Sequence, residues 1–316
     1  MKNSLVLLIF VLATSLAFSQ QNPHRRYLDF DNDGKSDFGV FRPSNNTWYI
    51  LNSGSGGFVA QPFGSSSTDY MTPGDYDGDS KADISVWRDT DGFWYRINSS
   101  NNTFSATQFG ATGDEPVARD YDGDGKTDLA VVRRTGGNMI WYVLRSSNNS
   151  LVATQFGLAT DYTAPGDYDG DGKFDFAVQR PGSTSTSAAT FFILKSSDGN
   201  LQSVTFGLSN DLVVPGDYDG DGKTDIAVAR EGSTSNSNIF WYILRSSNGT
   251  LLSYSFGITG TDLTAQGDYD GDGKTDVAVW RDTNGTFYVL RSSNGSLMIQ
   301  PWGTANDFPI PSFDTH

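Results

Sequence analysis

Six acidic loops of one pattern, Asp-x-Asp-x-Asp-Gly-x-x-Asp or a near variant, recur along this 316-residue chain. The candidate ligating residues of the first are Asp29, Asp31, Asp33, Lys35 and Asp37, and of the second Asp75, Asp77, Asp79, Lys81 and Asp83. The third offers Asp120, Asp122, Asp124, Lys126 and Asp128, and the fourth Asp167, Asp169, Asp171, Lys173 and Asp175. The fifth offers Asp217, Asp219, Asp221, Lys223 and Asp225, and the sixth Asp268, Asp270, Asp272, Lys274 and Asp276. Alternating carboxylates on a tight turn suit a hard cation, because Ca²⁺ takes about six to eight oxygen ligands at roughly 2.3–2.6 Å. The seventh-position lysine cannot ligate through its ammonium, so its backbone carbonyl is the expected ligand and its side chain should point to water. Glycine at the sixth position supplies the sharp turn in five copies. Ser80 replaces it in the second loop, and the first carries Phe30 and Asn32, so these two loops should hold a cation more weakly. A closed ligand set leaves little room for an outside group. The expectation is up to six structural Ca²⁺ ions.

No other reactive constellation can be assembled. The two histidines, His24 and His316, stand near the two ends, and there is no cysteine. A Ser/His/Asp or Cys/His catalytic set and a zinc site are therefore excluded, and no catalytic or organic-cofactor residue is assigned. The formal net charge is −15, but the six loops hold most of the acidic residues, and six divalent cations would cancel most of the excess. The acidity therefore names no partner. Nucleic acid is disfavoured because no basic stripe exists to meet phosphates.

The loops lie between apolar, β-branched stretches such as Leu212-Val213-Val214 and Ile226-Ala227-Val228. Helical flanks and the position-12 Glu of an EF-hand are missing, so each loop should join two strands. Next comes an arginine in every copy (Arg42, Arg88, Arg133, Arg180, Arg230, Arg281), then an aromatic strand such as Trp241-Tyr242-Ile243-Leu244. A Ser-Ser-Asn-Gly type turn follows, and a last strand ends in Phe-Gly. The Asn-Gly pair is a strong hairpin signal. Four short antiparallel strands per repeat describe a propeller blade.

Loop starts are 46, 45, 47, 50 and 51 residues apart. All of this variation falls in two connections, one after the arginine and one after Phe-Gly, and the remaining 35 residues are constant. With the strands lettered A to D and the acidic loop joining A to B, both variable connections lie on the face opposite the acids. Six blades are expected, with seven as the alternative. The stretch from Trp302 to Pro311 reads as the lead-in to a seventh loop that is missing its acids, and it should close the ring onto the first repeat. The Trp-Tyr pairs should pack between blades. The arginines should cap blade ends or pair with the aspartates of the D–A connections, Asp69, Asp114, Asp161, Asp211 and Asp262.

Phe-Gly, then Thr163 to Gly166, then Asp-Tyr-Asp-Gly-Asp-Gly-Lys resembles the FG-GAP/VCBS repeats of integrin-alpha-like β-propellers, over residues 24–314. The resemblance implies an all-β propeller with calcium in these loops on one face and ligands mostly on the other.

Lys2, the apolar run Leu5 to Leu12 and Ala17-Phe18-Ser19 read as a signal peptide over residues 1–19, too short to span a membrane. Residues 20–316 would then form a single propeller domain, monomeric, secreted or at the cell surface, with no membrane insertion. The function expected is a non-catalytic, calcium-stabilised module for extracellular binding or adhesion to a glycan or protein. The alternative is a calcium-dependent polysaccharide lyase or hydrolase, favoured by a Lys or Arg on an inner strand facing the central channel. Binding is expected on the long connections Pro181 to Ala189 and Glu231 to Asn238, which are rich in Ser, Thr and Asn.

Overall fold

The computed structural model describes residues 27–314; the signal-peptide reading and both histidines lie outside the described residues. Six four-stranded antiparallel sheets form a ring, a six-bladed β-propeller. Blade two shows the plan: Asp69–Met71, Ile84–Arg88, Phe93–Ile97 and Phe104–Gln108 are strands A to D. Blades three to six repeat it, with A strands at Glu115–Pro116, Tyr162–Thr163, Leu212–Val213 and Asp262–Thr264. Blade one is completed from both chain ends. Phe308–Pro309 pairs with Phe38–Arg42 through Val40↔Pro309 and Phe41↔Phe308. The C-terminal lead-in, which no acidic loop follows, thus closes the ring as its sequence suggested, and Arg42 gains Asp307 as its partner.

Closure depends on one small residue. A Cβ on Gly39 would stand 2.6 Å from Ile310 Cδ1, where the other blades carry Ser85, Ala130, Ala177, Ala227 and Ala278. Ile310 is fully buried against this strand.

The B strands are buried almost throughout, because each lies between its own neighbours in the sheet and the faces of two blades. The indoles of Trp48, Trp94, Trp141 and Trp241 on the C strands are fully buried. Each donates its Nε1–H to the carbonyl of Phe63, Phe109, Phe156 or Phe256 respectively, at 2.8–3.1 Å. These are the phenylalanines of the Phe-Gly motif, so the motif supplies the acceptor that a buried indole requires. Its glycine sits at positive φ, and a Cβ there would meet a valine of the next blade, as at Gly64 and Val86 (3.0 Å) or Gly257 and Val279 (3.0 Å). Phe-Gly is a blade-to-blade contact written into sequence.

The tyrosine beside each of these C-strand rings is half-buried and packs against clusters shared by neighbouring blades, as Tyr49 does against the cluster of Val40, Trp280 and Phe287, in line with the expectation. Tyr49, Tyr95, Tyr142, Tyr242 and Tyr288 also lie under strand-end arginines, ring centroids 4.4–5.0 Å from Cζ. The pleat sends neighbouring rings to opposite sides of the blade. One expectation needs correction: the connections of blades four and five are shorter than their sequence suggested. Ala188–Leu194 and Asn238–Leu244 start early, so the additional residues partly lengthen the hairpin.

Candidate metal centres

In blades two to six the acidic loop joins strand A to strand B, and in blade one it leads into strand B, all at one end of the ring. The first aspartate accepts two backbone N–H groups of its own loop; Asp75 takes Gly78 at 2.6 Å and Ser80 at 2.9 Å. The last aspartate ties the loop to the C–D turn. Asp83 Oδ2 accepts from Tyr76 N (2.8 Å) and its Oδ1 from Ser99 N (2.6 Å). The two turn serines then reach the middle acids, Ser99 Oγ to Asp79 at 2.8 Å and Ser100 Oγ to Asp77 at 2.7 Å. The same contacts recur at Ser146 and Ser147, Ser196 and Ser197, Ser246 and Ser247, and Ser292 and Ser293. Sequence reading took these serines as turn formers. Their second role, orienting acids more than twenty residues upstream, has no local signal.

The result in each loop is a cluster of carboxylate oxygens. One oxygen each from Asp75, Asp77 and Asp83 lie within 4.8 Å of one another, as do those of Asp120, Asp122 and Asp128, Asp167, Asp169 and Asp175, and Asp217, Asp219 and Asp225. In the first loop the cluster is Asp29, Asp31 and Asp33. The third-position oxygen is the informative one. Oδ1 of Asp31 and of Asp122 is buried and has no hydrogen-bond donor. A buried carboxylate oxygen without a partner is costly, and a cation among these oxygens would satisfy it. These all-oxygen clusters can therefore hold a metal ion.

The electrostatics agree. Burial pushes Asp37 and Asp217 up to about 7 and Asp75, Asp128, Asp167, Asp175, Asp225 and Asp276 up to about 6. Neighbouring aspartates add to the rise, and the backbone donors offset part of it. The two non-glycine substitutions fall where the backbone is left-handed, at Asn32 (φ 62°) and Ser80 (φ 69°). Asparagine tolerates this region better than serine.

The loops are also joined to one another. The eighth-position N–H of each donates to the first-position carbonyl of the loop before it: Ala82 to Asp29, Thr127 to Asp75, Phe174 to Asp120, Thr224 to Asp167, Thr275 to Asp217 and Ser36 to Asp268, all at 2.6–2.8 Å. Six bonds make a closed circle. Five of the seventh-position lysines follow the same path, and for Lys126 this corrects the expectation that the ammonium points to water. The stems of Lys126, Lys173, Lys223, Lys274 and Lys35 cross the fourth-position glycine of the preceding loop, and Lys126 Nζ donates to Asp77 O at 3.1 Å.

Inside this circle the regular pattern breaks. Arg119 replaces the usual glycine before the third loop, and Phe174 replaces a small eighth residue in the fourth. Arg119 is buried with its guanidinium 4.6 Å from the Tyr27 ring and 5.8 Å from that of Phe174. These three side chains fill the space at the acidic-loop end.

The other end is built differently. Each strand-end arginine is gripped through Nε and Nη2 by the aspartate that starts strand A: Arg42 by Asp307, Arg88 by Asp69, Arg133 by Asp114, Arg180 by Asp161, Arg230 by Asp211 and Arg281 by Asp262, at 2.7–2.9 Å. The residue after that aspartate emerges at the mouth of the ring. Tyr70 and Phe308 are 52% exposed, and Tyr162 and Leu263 are 39% exposed. Tyr70, Phe308, Glu115, Ser65 and Ser66 border a cavity of about 250 Å³. Glu115 is itself paired with Arg134 at 2.7 Å and accepts from Thr163. The long connections lie on this same face, but their hydroxyls are partly engaged with each other, as in Thr184 with Ser187 and Thr234 with Ser237 (2.7 Å each).

A family model for FG-GAP-like repeats matches residues 29–86 and 120–178, and one for the FG-GAP repeat matches residues 210–240. FG-GAP repeats are thus detected in the chain, consistent with an FG-GAP repeat protein. Comparison with curated protein sequences gives no match. Among solved structures, an oligogalacturonate lyase in complex with manganese aligns with a TM-score of 0.51 at 15% identity, over 87% of this chain and 77% of that one. A provisionally assigned 6-phosphogluconolactonase from Bacteroides uniformis aligns at 0.45 and 12% identity, over 88% and 98%. At these identities the likeness is one of fold.

Proposed function

We propose that this chain is a calcium-stabilised propeller that acts outside the cell as a non-catalytic module for binding a glycan or a protein. One observation carries the reading: the two ends of the ring divide the work. At one end the acids are wired into the scaffold and to each other, as structural metal sites would be. At the other, aromatic side chains stand exposed around a cavity with hydroxyl and carboxylate groups at its rim. Exposed aromatic faces beside polar groups are typical of recognition surfaces.

Calcium is preferred because every available donor is oxygen, and carboxylate and carbonyl ligands suit Ca²⁺, Mg²⁺ or Mn²⁺ over softer metals. Up to six ions would sit in the loops, with the carbonyls of Lys35, Lys81, Lys126, Lys173, Lys223 and Lys274 completing the sets. Export through residues 1–19 belongs to the same proposal. A polysaccharide lyase would use a cationic side chain on an inner strand facing the channel. Arg119, on such a segment, is instead buried among aromatic rings.

The test is a glycan array probed with the calcium-loaded protein, beside Tyr70→Ala and Phe308→Ala variants. Binding lost in both variants with Tm unchanged supports the reading. Binding that survives both removes the mouth as the site, and new reducing ends released from an acidic polysaccharide would replace this reading with an enzymatic one.

A further inference from the structure

The acidic-loop face carries a second feature, in clefts between blades, independent of the aromatic mouth. The residue that follows strand C is Arg145, Lys195, Arg245 and Arg291 in blades three to six, but Asn52 and Asn98 in blades one and two. Between blades five and six, Arg245, Arg291 and the loop lysine Lys274 border a cavity of about 350 Å³ floored by Leu252 and Tyr254. Between blades three and four, Arg145, Lys195 and Lys173 border one of about 360 Å³. Each cleft sets three cations against one loop aspartate, Asp219 or Asp122. Asp219 is turned to its own loop, with Oδ2 accepting from Ser247 Oγ at 2.6 Å.

The guanidinia decide the matter. All six strand-end arginines on the other face have bidentate carboxylate partners. In Arg245 and Arg291, by contrast, Nε is buried and has no acceptor. A buried donor left unpaired is destabilising, so the fold carries these two groups without using them. Arginine forks are suited to carboxylate and sulfate oxygens.

We propose that the cleft between blades five and six binds the carboxylate or sulfate of a sugar-sized anion, held by Arg245 and Arg291 over the Leu252–Tyr254 floor. The cleft between blades three and four is a weaker copy, because Lys195 offers a point charge where Arg291 offers a fork.

Calorimetric titration of the full chain in excess Ca²⁺ tests this, with glucuronate, glucose 6-sulfate and glucose as probes. One or both acidic sugars should bind, glucose should not, and which acid binds more tightly identifies the group recognised. Affinity should fall as ionic strength rises from about 0.01 M to 0.15 M. Arg245→Gln and Arg291→Gln should each weaken binding about tenfold or more, from the loss of charged hydrogen bonds. Their Tm should stay level or rise, since neither guanidinium has a partner in the fold. Binding of neither acid, binding of glucose as tight as that of the acids, undiminished binding by both variants, or a clear fall in Tm would each overturn the proposal.

Discussion

Removing the metal should unmake the acidic-loop end of the ring. The structure gives the scale through carboxylates held near 6 or 7 instead of 3.8. Ionising a group moved from 3.8 to about 6 costs roughly 3 kcal/mol once the pH exceeds 6. Loops four and five each contain two such groups. Relaxation and partial protonation relieve most of this in an empty ring, yet the unrelieved cost of a single such group, about 3 kcal/mol, would lower Tm by roughly 6–12 °C at about 2–4 °C per kcal/mol. Differential scanning calorimetry at pH 8, with excess chelator against excess Ca²⁺, measures it. Refilling with Mg²⁺ or Mn²⁺ then shows which hard cation the loops prefer. A melt that is the same in chelator and in Ca²⁺ would refute both the metal assignment and the electrostatic reasoning.

The pH dependence of the chelated protein follows from the same groups. Their folded values are raised above the unfolded one, so their contribution to stability is full below about 4 and is lost as pH rises through 6 and 7. Chelated protein should therefore melt higher at pH 5 than at pH 8, and Ca²⁺-loaded protein the reverse, which paired thermal scans will show. Ser80→Gly should relieve a left-handed serine by about 1 kcal/mol and tighten the second loop, read as a Tm rise of a few degrees and higher Ca²⁺ affinity. Asp211→Ala removes the partner of Arg230 and the acceptor of Leu208 N. It should cost about 2–3 kcal/mol in denaturant unfolding, less than a fully buried pair because Arg230 is a third exposed. Gly39→Val should expel Ile310 and open blade one, read as loss of cooperative unfolding and protease access near residue 308.

The sequence revealed what repeats and what lies within a blade. Two constant segments, 19 residues as from Asp69 to Arg88 and 16 as from Trp94 to Gly110, separated by the two variable connections, fix four strands and place the acids on one face. The recurring arginine and aspartate, 19 residues apart, could be matched before any coordinates, and Asp307 follows the same rule once the ring is closed. Contacts between blades were much less legible. The circle of bonds from Ala82, Thr127, Phe174, Thr224, Thr275 and Ser36 uses backbone groups, which carry no side-chain signature. The lysine stems cross to the preceding loop because the ring's curvature brings its glycine within reach, and no spacing within one repeat encodes that curvature.

Departures from the repeat have the same logic in reverse. Arg119 and Phe174 look like random drift in an aligned pair of loops, yet in space they meet Tyr27 from before the first repeat and fill one end of the ring. Arg245 and Arg291 look like ordinary turn residues, and only their shared cavity sets them apart. In a ring of near-identical units the common residues build the scaffold, so individuality has to be sought where neighbouring blades differ. Blades one and two, with Asn52 and Asn98, lack the cation that blades three to six share. Any function tied to those cations is therefore confined to one part of the disc, although the six acidic loops run around all of it.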